Sequence, residues 1–228
     1  MKLSILIPVF NEHRTIVTLI ERLMQSGCAD FEWIFVDDGS TDGTTELLKT
    51  NIPSHQTIIL REKNQGKTAA VRAGLEVATG DWVIIQDADL EYDPAQIPLL
   101  LAKAEQSLVQ PVAVYGQRPS YWNDPTRWIF AIGVLGVDIA IYLVHGGWVR
   151  DHATCYKLLP TKTLRAFRLS SVGFEGCIEI TAKLIQHRIP IIRMPITYQP
   201  RSRRDGKKLA WTYGLKAIRS VWMFRERA

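Results

Sequence analysis

The 228-residue chain has only three cysteines, Cys28, Cys155 and Cys177, an odd number at wide spacing with no CxxC pair. No disulfide framework can be built from them, and a reducing compartment is expected. No GxGxxG follows the first apolar stretch and no GxxxxGK occurs, which argues against a dinucleotide enzyme and a P-loop NTPase. The histidines His13, His55, His145, His152 and His187 show no paired metal-ligand spacing and read as structural or exposed. Internal repeats and low-complexity linkers are absent. The opening MKLSILIPVFNE lacks a long apolar core with a small-residue cleavage site, so no signal peptide is expected. What remains is ordinary: 46% apolar and 22% charged residues suit one large domain, or a domain with a small appendage, that buries a proper core.

Charge is unevenly spread. Residues 201–227 hold nine Lys/Arg against two acids, a net of +7, while the whole chain is +5 and everything before residue 201 nets −2. A basic tail on a near-neutral body points to an anionic partner, whether nucleic acid, a membrane surface or a substrate phosphate.

Strand and helix signals alternate at short spacing. Strands are expected at 2–9, 33–36, 57–60, 82–85 and 112–115, with helices from Asn11 or Glu12 to Gly27, at 44–50, at 66–79 and from Asp93-Pro94 to about 107. This alternation predicts a parallel sheet with helices on both faces. Right-handed crossovers then bring the loops after Val9, Val36 and Ile85 to one sheet edge. Residues 128–149 are apolar apart from glycines, Asp138 and His145. Their length permits a membrane span, but Asp138 near the centre would cost roughly 2.5–3.5 kcal/mol on insertion scales. Helices packed on the domain or lying in a membrane interface are expected instead. A last strand at 189–198, with Pro190 and Pro195, suits a sheet edge. Residues 209–225 read as a helix mixing Trp211, Tyr213, Trp222 and Phe224 with Lys216, Arg219 and Arg225.

The chain is organised around WVIIQDADLE, residues 82–91. A short run buried on both faces ends in Asp87, Asp89 and Glu91, spaced two apart, so an extended chain would put the three acids on one side. Carboxylates at the carboxyl end of a buried strand sit where open α/β sheets bind ligands. Crowded there, they need a cation, and hard oxygen donors suit magnesium or manganese, which take one or two carboxylates and leave positions for water and phosphate. A solvated acidic turn is the bland alternative. Asp37-Asp38-Gly39-Ser40 fits either turn chemistry or a base or ribose contact. Asn64-Gln65-Gly66-Lys67 precedes a helix whose exposed amides and lysine could meet a phosphate, or is an ordinary cap. Arg201, Arg203, Arg204, Lys207 and Lys208 form a basic loop leading into the aromatic helix, which suits a membrane surface or a phosphate-bearing acceptor. The acidic cleft makes a nucleic-acid track less natural, so no nucleic-acid partner is expected.

Together, SILIPVFNE, IFVDDGSTDGT, NQGKTAAVRAGLEVATGDWVIIQDADLEYDP, DHATCYKLL, GFEGCIEI and RSRRDGKKL resemble the family 2 glycosyltransferases over nearly the whole chain. Within that family the sequence is most similar to the dolichyl- and polyprenyl-phosphate sugar synthases. The resemblance implies an A-type nucleotide-sugar (GT-A) fold: a Rossmann-like mixed sheet with helices on both faces, plus a C-terminal amphipathic helix. It implies a catalytic domain over 1–200, with about 120–150 as an interfacial or acceptor-side helical segment, and 201–228 as basic loop and amphipathic helix. It implies an inverting, Mg2+- or Mn2+-dependent transfer of a hexose (mannose or glucose) from a GDP- or UDP-linked sugar to a polyprenyl or dolichyl phosphate. The setting would be peripheral, at the cytoplasmic face of a membrane, with a membrane partner subunit as a candidate anchor.

The implied roles are as follows. Pro8, Phe10, Glu12 and Asp37 or Asp38 hold the nucleoside, with Lys67 near the donor phosphates; Asp87, Asp89 and Glu91 bind the metal, Asp89 foremost; Arg118, Arg127 and Arg201 face donor or acceptor phosphates; Glu179 lies in the acceptor region, with Arg203 and Lys207 on the acceptor side. Two departures, Glu91-Tyr92 where the mannosyl synthases have Gln or Ser-His and DHATCYK where they read close to DTGFR, leave the base and sugar open. A phosphate acceptor arrives ionised and needs no general base; a hydroxyl acceptor needs one, and Asp151 is the candidate. A soluble or glycan acceptor, and a non-catalytic membrane-associated nucleotide-sugar binder, are the alternatives.

Overall fold

Apolar runs set the strands. In a computed structural model, which describes residues 2–119, 128–201 and 213–225, β1 (Leu3–Val9), β2 (Glu32–Asp37) and β4 (Trp82–Ile85) are buried along nearly their whole length, while β3 (Thr57–Leu60) is half exposed. The order across the seven-stranded sheet is β3-β2-β1-β4-β6-β5-β7. β1, β2, β3 and β4 pair in parallel, as do β5 (Ala113–Gln117) and β7 (Ile191–Pro195). β6 (Lys157–Pro160) runs antiparallel to both β4 and β5, so the sheet is mixed rather than parallel throughout. Its four residues open on a lysine and show no period of their own. The strand is made by its pairing with β4 and β5, and the fully buried Lys157 ammonium is satisfied by the carbonyls of His152 and Thr154. β7 sits at the edge that its prolines predicted, though it is shorter.

The helices are α1 (Ile16–Gln25), α2 (Thr44–Asn51), α3 (Lys67–Val77), α4 (Ile97–Glu105), α5 (Trp128–His145), α6 (Thr161–Ala166), α7 (Gly176–Gln186) and α8 (Tyr213–Met223). The crossovers through α1 and α2 step the sheet one way and that through α3 steps it back. With right-handed connections this puts α3 on the opposite face. α1 begins later than the sequence suggests, because Asn11 takes φ +53° and ties the loop instead. Its Oδ1 accepts from Thr41 N (2.8 Å) and its own N–H donates to Ser40 Oγ (2.9 Å).

α5, the apolar segment, packs against α7 and α8, with Val137, Ile141, Ile178 and Val221 forming a small core of their own. Its outward side leaves Trp128, Ile132, Leu135, Ile139, Tyr142 and Leu143 exposed. Among the described residues no helix is long and apolar enough to cross a membrane.

Because β6 is the one antiparallel strand of the sheet, β1, β2, β3, β4, β5 and β7 all end at the same edge and β6 begins there. Asp37 closes β2, Glu12, Arg61, Asp87, Arg118 and Arg201 follow the other ends, and Asp151 precedes β6. Residues scattered over nearly two hundred positions therefore meet along one line.

Candidate active site

Arg201 is the hub. Its guanidinium donates to both oxygens of Glu12 (3.1 Å each) and lies 3.2 Å from Asp89 Oδ2. Burial would lower its pKa, but Glu12 and Asp89 outweigh that and raise it. Its Nε is buried without a hydrogen-bond acceptor among the described residues, a donor left over for an anion.

The DADLE segment does not stay extended. The chain turns at residues 88–89 and Leu90 takes φ +61°, so the three acids part company. Asp87 pairs with Lys67 at 2.5 Å. Asp89 faces Arg201. Glu91 is turned to the segment after β7: it accepts from Tyr198 Oη (2.6 Å) and Arg201 N (2.8 Å), and its carbonyl accepts from Gln199 N (2.9 Å). Among the described residues no group of three or more His, Cys, Asp or Glu side chains converges on a metal position. Glu91 clasps residues 198–201, whereas the carboxylates of Asp87 and Asp89 are the two that face cationic side chains at the turn. Two suffice for magnesium or manganese when phosphates complete the shell. The electrostatics fit a cation: burial, then the charges of Asp87 and Glu91, push Asp89 up to about 7, and Arg201 only partly offsets them.

Asp37 and Asp38 are buried and structurally engaged. Asp37 accepts from Ser40 N (2.9 Å) and the Thr45 hydroxyl. Asp38 accepts from the amides of Gln65 (3.0 Å) and Gly66 (2.7 Å) and lies 3.1 Å from Arg61 Nη1. The amides expected to cradle a phosphate at the start of α3 are thus taken: Gln65 and Gly66 by Asp38, and Thr68 (2.9 Å) and Ala69 (3.1 Å) by the Val172 carbonyl. Lys67 faces Asp87, whose charge, with the nearby thiols, holds the ammonium's pKa well up against the effect of burial. Pro8 and Phe10 are half-buried, at the end of β1 and just beyond it.

Arg118, directly after β5, is held by Asp151 in a bidentate pair: Nε to Oδ2 2.9 Å, Nη2 to Oδ1 2.5 Å. Arg118 Cζ stands 5.1 Å from the centroid of the Tyr198 ring, so this pair joins the Glu91–Arg201 cluster through one tyrosine. Burial would raise the Asp151 pKa, but Arg118 holds it below the usual carboxylate range. A carboxylate so fixed is a poor general base.

Glu179 is not in the cleft. It is fully buried on α7, accepting from Ser170 N (2.8 Å), Ser171 N (2.9 Å), both serine hydroxyls and Lys183 Nζ (2.9 Å). These bonds make it a clasp for the loop at 170–171; the structure shows no acceptor contact for it among the described residues. Arg127, Arg203 and Lys207 lie outside the described residues, as do residues 209–212 of the basic helix. Sequence reasoning missed Tyr198, Asp138 and His152. Nothing local marks Tyr198, whose partner Glu91 lies 107 residues away, whereas an isolated acid in an apolar stretch was a usable signal for Asp138.

Against known proteins, the family model described as Glycosyl transferase family 2 matches residues 4–160. The chain is 41% identical over 112 residues to the undecaprenyl-phosphate 4-deoxy-4-formamido-L-arabinose transferase of Proteus mirabilis (strain HI4320), covering 46% of this chain and 34% of that protein. The protein of the same name from Salmonella choleraesuis (strain SC-B67) is 39% identical over 111 residues, with coverage of 46% and 34%. The match thus spans about a third of the length of these curated relatives. Among solved structures, glucosyl-3-phosphoglycerate synthase from Mycobacterium tuberculosis in complex with Mg2+ and uridine-diphosphate aligns with a TM-score of 0.70 at 18% identity, covering 98% of this chain and 79% of that one. Its complex with Mn2+, UDP-glucose and phosphoglyceric acid gives 0.67, also at 18% identity and with coverage of 98% and 79%. At this identity the likeness shows the fold, which is GT-A. The family model covers well over half of the sequence, and the chain belongs to glycosyl transferase family 2.

Proposed function

We propose that the chain transfers a glycosyl unit from a nucleotide sugar to the phosphate of a polyprenyl or dolichyl phosphate, with inversion and with Mg2+ or Mn2+ as cofactor. The glycosyl unit is a hexose or a close relative, such as the modified arabinose in the names of the matched transferases. The observation that carries this reading is Arg201: a buried arginine fixed between Glu12 and Asp89 at the sheet edge, with an Nε–H that has no acceptor among the described residues.

In this reading Glu12, Pro8 and Phe10 face the nucleoside, with Asp37 and Asp38 shaping the loops behind it. Arg201 meets the donor diphosphate. Asp89, with Asp87, would hold the divalent cation, which offsets charge on the leaving diphosphate. Arg118 meets the acceptor phosphate, presented by Asp151. That phosphate is ionised before it arrives, so the residues contribute alignment and charge neutralisation rather than proton removal. The low pKa of Asp151 supports a phosphate acceptor over a hydroxyl one. A single displacement from the face opposite the leaving group inverts the anomeric carbon.

The outward apolar side of α5, with Trp222 and Met223 of α8 exposed beside Lys216 and Arg219, supports peripheral seating on a membrane, which this reading puts at the cytoplasmic face. Transfer of labelled sugar to a short-chain polyprenyl phosphate, with and without EDTA, tests the proposal. Transfer that ignores EDTA would sink the Asp87–Asp89 assignment. No transfer from any UDP- or GDP-sugar in manganese would sink the activity.

A further inference from the structure

α5 is held on the domain by apolar packing, Val137 and Ile141 being buried against α7 and α8. Between them lies Asp138, 2% exposed, on a helix otherwise apolar up to its last residue, His145. Docking the helix requires no carboxylate, and burying one is costly unless every oxygen is used. Both are used, and on a single turn. Oδ2 accepts from Asp151 N (3.0 Å), while Oδ1 accepts from His152 N (3.1 Å) and lies 2.6 Å from His152 Nδ1. Asp151 itself adopts φ +65°, a left-handed conformation in which consecutive amides form a concavity around an anion. With its backbone anchored to Asp138, the side chain of Asp151 grips Arg118 by Nε, Nη2 and the backbone amide. The buried Lys157 ammonium closes the same turn by donating to the carbonyls of His152 and Thr154.

We propose that Asp138 is a positioning residue: through the backbone of Asp151 it aims the Arg118 guanidinium at the acceptor phosphate. It does so from the helix whose outward side is apolar and exposed, so the lipid-facing helix and the phosphate-facing arginine are set by one carboxylate. The role at the acceptor rests on the transferase reading; the mechanical link to Arg118 does not.

The test uses the full chain carrying Asp138→Asn, with Val137→Ala as a control that loosens the same helix without touching the clasp. Misaiming Arg118 should lower kcat for short-chain polyprenyl phosphate about 10- to 100-fold. The donor KM should stay within about twofold, since donor binding is not touched. In an Arg118→Ala background, Asp138→Asn should add nothing further, because it acts through Arg118. An equal loss in both backgrounds overturns the proposal. Independently of activity, the Arg118 Nε–H resonance, assigned by its loss in Arg118→Lys, should shift in Asp138→Asn and stay in place in Val137→Ala. An unmoved resonance overturns the positioning role whatever the enzyme does. A shifted resonance with no transfer by the unmodified protein upholds the link and overturns only the acceptor reading.

Discussion

Replacing Glu179 by glutamine distinguishes a loop clasp from an acceptor residue. The carboxylate is fully buried and takes five donors, from Ser170 N and Oγ, Ser171 N and Oγ, and Lys183 Nζ. Glutamine keeps the shape but turns an NH2 toward donors. Breaking a buried charged network costs about 3–5 kcal/mol, and Lys183, with a side chain 21% exposed, can turn to water, which favours the lower figure. A loss of about 3 kcal/mol in a chain of this size lowers Tm by about 6–12 °C. The pH dependence has a definite sign. Burial alone would raise the Glu179 pKa, but Ser171, Lys183 and the two amides outweigh it and hold it low. A depressed pKa stabilises above the unfolded value, about 4.3, and that stability is lost as pH falls through the folded value. Calorimetry of the two proteins should therefore show a Tm gap that is flat from neutrality down to about pH 5.5 and narrows below about pH 4. Turnover per folded molecule should be unchanged. Lost turnover with Tm unmoved would refute the structural assignment, and a gap that widened toward acid would refute the charge argument.

Asp89→Asn should cut sugar transfer at least about 100-fold, while Tm holds or rises, because one of three crowded acids is neutralised; both are read on one preparation. Arg201→Ala should weaken nucleoside diphosphate binding about tenfold or more, the worth of a lost charged hydrogen bond, measured by calorimetry with manganese. Gly66→Ala should destabilise by about 1–3 kcal/mol, seen as a lower Tm, since its φ is +97° and a Cβ would stand 2.5 Å from the Val172 carbonyl oxygen. Titration of UDP or GDP in EDTA should show no measurable binding, restored by Mg2+ or Mn2+; unchanged affinity would refute the cation's part in donor binding.

The first four strands were legible because each is a short apolar run bounded by turn residues, and short-range order decides that much. The shared edge followed from crossover handedness alone. β6 was not legible: its four residues open on a lysine, whose burial is tolerated because carbonyls of an earlier turn accept from its ammonium. The crowding of the DADLE acids was legible, but their alignment held only for an extended chain. The turn at residues 88–89 with the positive φ of Leu90 sends Glu91 to partners after β7 that no local pattern marks. The start of α3 carries the residues of an anion site, yet Asp38 and Val172 claim its amides from elsewhere in the chain. Local pattern reports which chemistry is available, and tertiary pairing decides which part of it is spent on structure. Asp138 shows the same rule in reverse. Counted as a penalty for membrane insertion, the one carboxylate of α5 has both oxygens satisfied.

On the proposed function, the cleft's charge bears on how an acidic motif could serve a phosphate-bearing substrate. Glu12, Asp87, Asp89 and Glu91 bring four negative charges against Lys67 and Arg201. Unmatched charges about 4 Å apart repel by about 4 kcal/mol at an effective dielectric near 20. The protein answers on Asp89, whose pKa rises to about 7; a divalent cation would answer more fully and would also draw in the diphosphate that the acids alone repel. Glu91 also has a structural reason to be acidic. By holding Tyr198, Gln199 and Arg201 it fixes the entrance of the basic stretch to the DADLE turn. The acidic motif and Arg201, the first residue of the basic tail, are two separate features along the chain that Glu91 joins.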